Sequence, residues 1–231
     1  MLGPIDYLFW AAGDLAQIGV VVCAFRFGCV RRYFTLVLYM LASLTLSWTR
    51  TFIFLRYGYT SPQYFYFYYF SDVLLTICLY FALMGLYAHV FKEMGVHRYL
   101  RVGAILLLGL TAGLSYEMVL TSRDKLLTRF VVELSQNLYF VGVVLTYLLW
   151  GAIMKLRETR TRLIQLVLAL GVYFSVFAAS YALRNLYPDF LLWRYVPPLM
   201  ALWLPLAWAY TFLRVPEEAR LATARLAATN R

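Results

Sequence analysis

Seven long apolar runs, separated by short polar segments, account for almost the whole chain. An α-helix needs about 20 apolar residues to cross about 30 Å of hydrocarbon, and each run is close to that length or longer. Strands of a membrane barrel would be about 10 residues long with strict alternation, which these runs lack. The pattern predicts seven transmembrane helices, near Ile5–Phe25, Tyr33–Leu55, Tyr64–Val90, Val102–Leu120, Leu126–Met154, Leu163–Leu183 and Leu191–Leu213.

The connecting segments predict how these helices are arranged. Because the loops are short, we expect consecutive helices to be antiparallel neighbours within one bundle that covers residues 1–215. Residues 216–231 open with Pro216, Glu217 and Glu218, which suit the first turn of a helix, so they predict a helical tail. Asp6 and Asp14 in the first run, without a basic segment before them, indicate a retained helix and not a signal peptide.

Composition agrees with a membrane protein, since 63% of the residues are hydrophobic and only 14% are charged. The net charge of +10 does not indicate a nucleic-acid partner, because the basic residues lie mainly at the ends of the runs. About two thirds of the 21 lysines and arginines fall in residues 26–32, 92–101, 155–162 and the segment from Arg214. The positive-inside rule therefore predicts a multi-pass protein of the cell (inner) membrane with its N-terminus outside and its C-terminus in the cytoplasm.

Two short patterns bear on the internal organisation of the bundle. Residues 14–17 (DLAQ) resemble residues 133–136 (ELSQ), and each segment is followed by a basic turn and two further runs. This similarity predicts that helices one to three repeat in parallel as helices five to seven, with the fourth as a linker. In the fourth run, Gly109 and Gly113 form a G-x-x-x-G pattern, which lets two helix backbones approach closely. It indicates either packing within the bundle or the contact surface of an oligomer.

Polar side chains within the runs are the candidate functional residues, because an ionisable group in a bilayer is costly and usually has a partner. Their positions predict a cluster in the outer half of the bundle. We expect Asp14 with Gln17, and Glu133 with Gln136, to face the interior, and Arg50 to pair with Asp14, Asp72 or Glu133. The cluster either locks helices together or lines a site for a small polar ligand, an ion or a proton. Its members are Asp14, Gln17, Arg50, Asp72, Glu133, Gln136, Asn137 and Arg184.

The aromatic stretch Tyr64–Phe70 is the strongest local bias in composition. It predicts either an anchor at the lipid interface or a platform on which an aromatic ligand stacks. No other segment indicates a bound group. His89 and His97 both lie near the cytoplasmic face, the three cysteines have no metal-binding spacing, and the HExxH, GxSxG and P-loop motifs do not occur. We therefore predict no catalytic residue, cofactor or metal ion.

Most of the chain resembles the small seven-span proteins found in bacteria such as acidobacteria, a family of unestablished function that implies no site. Its plan also resembles the SWEET and PQ-loop transporters and the rhodopsins. Gln17 and Gln136 follow Ala and Ser instead of the proline of a Pro-Gln pair, and the seventh run has no lysine to hold retinal.

These observations favour a non-enzymatic membrane protein that acts by association. It would be an accessory or scaffold subunit of a membrane complex, or a small sensor, with a membrane-protein partner or a second copy of itself. The alternative hypothesis is a small-solute transporter or receptor that uses the outer polar cluster.

Overall fold

A computed structural model describes residues 4–58, 60–91, 97–120, 126–156, 160–187 and 195–216. These residues form seven α-helices and no β-strand, and every helix is long and apolar enough to cross a membrane, as the apolar runs predict. The predicted tail lies almost wholly outside the described residues. The helices are α1 (Pro4–Arg26), α2 (Phe34–Tyr57), α3 (Pro62–Val90), α4 (His97–Leu120), α5 (Leu126–Lys155), α6 (Thr161–Leu186) and α7 (Val196–Arg214).

The largest differences from the predicted spans are at the starts of two helices. α4 begins at His97, five residues before the predicted Val102, because its first turn is polar and therefore gives no hydropathy signal. α7 begins at Val196, later than the predicted Leu191. Pro197 and Pro198 occupy its first turn, where a missing backbone N–H costs no hydrogen bond, so these prolines mark the start of the helix.

Six of the helices form a closed ring, and α4 lies outside it. In sequence order, α1, α2, α3, α5, α6 and α7 each contact the next, and α7 packs extensively on α1. α4 packs mainly on α5 and, to a smaller extent, on α3. We call the upper end the one at which α1, α3 and α5 begin and α2 and α4 end. Side-chain bonds join the upper halves of neighbouring helices, as described below.

Close packing of the ring depends on three glycines. A Cβ atom added at Gly142 of α5 would overlap the ring of Phe174 on α6, and one at Gly171 of α6 would collide with Thr146. A Cβ at Gly85 of α3 would collide with Thr35 of α2. The adjoining core is fully buried, with Leu83, Leu149, Phe174 and Trp208 each 0% exposed. The helix contacts of the ring are therefore tight at specific small residues.

The outlying helix α4 presents a wide apolar face to the surroundings. Its buried residues are few, and a Cβ added at Gly103, Gly109 or Gly113 would meet nothing within 4 Å. No described residue packs against Gly109 or Gly113, so this part of the chain does not show the packing within the bundle that the G-x-x-x-G pattern indicates. The exposed residues of this face include Val102, Ile105, Leu106, Gly109, Leu110, Gly113, Leu114, Glu117 and Met118.

Candidate functional site

Asp14 joins α1 to α2 near the middle of both helices. The Ser47 hydroxyl donates to Asp14 Oδ1 at 2.8 Å, and Trp10 Nε1 donates to the same Ser47 oxygen at 2.9 Å. Gln17, one turn further along α1, is buried, as predicted. Its Oε1 accepts no hydrogen bond from any described residue. Of the first pair of the candidate cluster, Asp14 therefore ties α1 to α2, whereas Gln17 is buried in the interior.

Arg50 joins α2 to α3, but not through a carboxylate. Its Nε donates to Ser71 Oγ at 2.7 Å and its Nη2 to the Tyr68 carbonyl at 3.3 Å, while the guanidinium carbon lies 4.7 Å from the centre of the Tyr68 ring. No carboxylate among the described residues lies within ion-pair distance, so the predicted direct pair is wrong. The position of a residue in the sequence predicts its height in the membrane but not the direction in which its side chain points. Successive residues of a helix point about 100° apart, so Ser71 faces Arg50 while the adjacent Asp72 faces another helix.

Asp72 instead turns toward α5, where the Ser135 hydroxyl donates to its Oδ2 at 3.3 Å. The charge of Arg50 still acts on this carboxylate through the protein. One turn below, the Thr76 hydroxyl lies 3.4 Å from the Tyr139 hydroxyl, which adds a second polar contact between α3 and α5. Asp72 therefore accepts a hydrogen bond from a hydroxyl of α5 and lies near a positive charge.

A cluster of aromatic rings lies around and beneath Asp72. Tyr139 of α5 stacks on Phe177 of α6 at 4.8 Å with only 9° between the ring planes, and it also contacts Tyr173 and Tyr181. Tyr39 of α2 and Tyr173 are both buried, so several tyrosine hydroxyls lie inside an otherwise apolar core. Sequence reasoning missed this cluster, because single tyrosines at helical spacing carry no pattern that separates them from ordinary core residues.

Glu133 and Gln136 do not face the interior, so that prediction is wrong. The buried stripe of α5 runs through Val131, Ser135, Leu138 and Gly142, and Glu133 lies two residues, or about 200°, from Val131. Both side chains are partly exposed.

Asn137, the next residue, faces outward to α4. Its Nδ2 donates to the hydroxyl of Ser115 at 2.9 Å. This bond ties the outlying helix to the ring.

Arg184 stays apart from the rest of the cluster. It is exposed in the last turn of α6, and no described residue forms a hydrogen bond with its guanidinium. Four other members, Asp14, Arg50, Asp72 and Asn137, each bond to a serine on a neighbouring helix. We call these four pairs, which join α1, α2, α3, α5 and α4, the upper polar belt. Sequence reasoning missed its serines, because a hydroxyl in an apolar helix usually bonds only its own backbone. The belt consists of Asp14, Ser47, Arg50, Ser71, Asp72, Ser135, Asn137 and Ser115.

The aromatic stretch Tyr64–Phe70 lies in the first turns of α3, nearer the upper end than the upper polar belt. Tyr64 contacts Phe54 at 6.0 Å, and Phe54 contacts Trp10 at 6.5 Å, so rings of α1, α2 and α3 meet at one level. Phe65, Tyr66 and Phe70 are exposed. Rings that lie half inside and half outside the protein at a helix end are typical of a lipid-interface anchor.

A buried arginine joins several segments at the lower end. From the sequence, it is expected only to be one of the basic residues that set the membrane topology. Arg162 of α6 is only 5% exposed. Its Nε and Nη2 donate to the carbonyl of Val215, just beyond α7, and its Nη1 lies 3.1 Å from the sulfur of Cys29 between α1 and α2. One planar guanidinium thereby holds three parts of the chain together.

The described side chains do not assemble a metal site, since no three His, Cys, Asp or Glu groups among them could share an ion. The polar belt bonds mainly to itself and joins helices. Interhelical bonds of this kind contribute about 0.6 kcal/mol each in membranes, so their number matters more than any single one. Comparison with known proteins adds no assignment, because no family model, curated protein or solved structure matches the chain.

Proposed function

We propose that this chain is a non-enzymatic, multi-pass membrane protein of the bacterial inner membrane that acts by association, with α4 as the docking helix. It serves as an accessory or scaffold subunit, or as a small sensor that signals to a bound partner. The upper end faces away from the cytoplasm, in agreement with the basic residues at the lower end. The occupant of α4 is another membrane helix, from a partner protein or from a second copy of this chain.

The observation that carries the proposal is the open space at Gly109 and Gly113. Gly85, Gly142 and Gly171 lie where a side chain of a neighbouring helix fills the space above them, whereas Gly13, Gly19 and Gly151 are open like the glycines of α4. The glycines of α4 have the same spacing that favours close helix contact, yet nothing lies within 4 Å of a Cβ at either one. A helix of another chain would supply the missing contact.

Glu117 defines the chemistry of that partner. It lies four residues after Gly113 and is exposed on the same face of α4, near the upper end. A carboxylate at this level is stabilised by a positive charge or a hydrogen-bond donor on the neighbouring helix. The partner helix therefore has small residues at mid-membrane and a donor near its upper end.

The parallel repeat fits the same plan. A two-fold relation between α1–α3 and α5–α7 requires α3 to contact α5 and α7 to contact α1, and both contacts are present. α4 would then be the one helix without a counterpart. The paired hydroxyls and carboxylates of the upper polar belt also favour a structural role over the alternative of a transported solute.

The size of the native complex tests the proposal. The chain is expressed at its natural level, extracted in a mild detergent and separated by native electrophoresis. We expect the wild type to migrate as a complex larger than one chain and Gly113→Leu to migrate as a single chain. Gly103→Leu is the matched control, because Gly103 is also exposed with open space above it. A wild type that migrates as a single chain would refute the proposal.

A further inference from the structure

A cleft of about 240 Å³ lies between the upper ends of α3 and α5, apart from the upper polar belt. It is open to the surroundings. Phe65 and Tyr69 of α3 form one wall, with their ring centres 4.6 Å apart. Residues of the first two turns of α5 form the other wall, and they are Thr128, Arg129, Val132 and Glu133.

The cleft contains two opposite charges that do not neutralise each other. Arg129 and Glu133 are four residues apart on α5, a spacing that allows an ion pair. No ion pair forms between them, and no described residue makes a hydrogen bond to either charged group. Both groups line the same small space. A ligand that carries one negative and one positive group would satisfy both side chains together.

The position of the cleft relative to the membrane indicates the source of such a ligand. α3 has 29 residues and α5 has 30, so each is about 45 Å long, against about 30 Å of hydrocarbon. Their ends therefore extend into the headgroup region, and the cleft lies between those ends. Lipid headgroups are the most concentrated zwitterions at this level.

We propose that the cleft binds the headgroup of a zwitterionic phospholipid of the phosphoethanolamine class. The phosphate accepts hydrogen bonds from the Arg129 guanidinium and the Thr128 hydroxyl. The primary ammonium donates to the Glu133 carboxylate and lies against the ring of Tyr69 or Phe65, where a cation is attracted by the ring face. A lipid with an anionic headgroup and no amine would leave Glu133 without a partner and would be repelled by it.

Lipid selectivity in nanodiscs tests this site. The full chain is placed in nanodiscs of equal phosphatidylethanolamine and phosphatidylglycerol with identical acyl chains, and the retained lipids are counted by native mass spectrometry. We expect the wild type to enrich phosphatidylethanolamine about tenfold, which corresponds to about 1.4 kcal/mol. Glu133→Gln should reduce the enrichment to below about twofold. Arg129→Gln should lower the retention of both lipids.

Two matched variants and a soluble probe make the result specific. Gln136→Leu changes a partly exposed polar side chain of α5 outside the cleft, and Arg56→Gln removes an exposed cation at the same end of the bundle, so both should keep the wild-type selectivity. Equal retention of the two lipids by the wild type, or full selectivity in Glu133→Gln, would overturn the proposal. Saturable binding of free phosphoethanolamine without lipid enrichment would overturn the assignment to a bilayer lipid. None of these outcomes depends on whether α4 binds a partner.

Discussion

Gly142 of α5 and Gly113 of α4 are both glycines in apolar helices, but they have opposite surroundings. A Cβ at Gly142 would overlap the Phe174 ring, whereas a Cβ at Gly113 would meet nothing within 4 Å. The first glycine lies where two helices of this chain already touch. The second lies on a helix whose outward face contacts no other described residue. The difference separates a ring that is complete in itself from a helix that is free to contact another molecule.

Gly142→Leu should have the largest effect on stability. The new side chain would force apart α5 and α6 at a fully buried ring, and overpacking a core typically costs 1–3 kcal/mol, occasionally more. We expect a loss of at least about 3 kcal/mol in the free energy of unfolding, measured by denaturant titration in detergent. Gly142→Ala should show a smaller loss in the same direction. Wild-type stability in both variants would contradict the close contact between α5 and α6.

Asp72→Asn should have an intermediate effect. The change keeps the shape of the side chain but replaces the carboxyl group that accepts a hydrogen bond from the Ser135 hydroxyl with an amide. A hydrogen bond contributes about 0.5–1.5 kcal/mol, so we expect a loss in that range in thermal or chemical unfolding. Glu133→Gln is the control, because Glu133 has no partner among the described residues; it should change stability by less than about 0.5 kcal/mol.

The same pair of variants separates the two functional hypotheses. In the structural account, Asp72→Asn lowers stability but leaves any association through α4 intact whenever the protein folds. Full stability combined with the loss of solute binding or flux would instead support a transporter or receptor.

The residues around Asp72 also show what the sequence could predict. Hydropathy placed all seven helices, because crossing a membrane requires a length of apolar chain that a sequence displays directly. It also predicted that Asp14, Arg50 and Asp72 are polar residues at similar heights in the membrane. It did not give their partners, which depend on the rotation and packing of each helix. Arg50 therefore bonds to Ser71 and not to a carboxylate.

Asn137→Leu should have a small effect that is confined to α4. The substitution removes the bond from Asn137 to Ser115, which ties α4 to the ring. We expect a loss of about 0.6 kcal/mol in the free energy of unfolding. Amide hydrogen exchange should be faster in α4 than in α6. Gln136→Leu is the neighbouring control, because Gln136 makes no bond to a described residue; it should leave the exchange of α4 unchanged. Equal exchange in both variants would show that apolar packing alone holds α4.

Gly113→Leu should have the smallest effect on stability, since the new side chain enters open space. We expect a change below about 0.5 kcal/mol, as for other surface positions. Its unfolding curve should coincide with that of Gly103→Leu. A loss similar to that of Gly142→Leu would mean that α4 packs within the ring, which would remove the contrast between the two regions.

Photo-crosslinking from α4 in native membranes is the sharpest test of whether α4 docks on a helix of another chain. A photoreactive residue replaces Leu110, which is 60% exposed between the two glycines, and a second version replaces Leu55, which is 76% exposed on α2. We expect a crosslink from position 110 to one defined polypeptide and little or none from position 55. The product from position 110 should be lost when Gly113→Leu is added. Crosslinking to lipid alone from position 110, or a product that persists in Gly113→Leu, would contradict this docking.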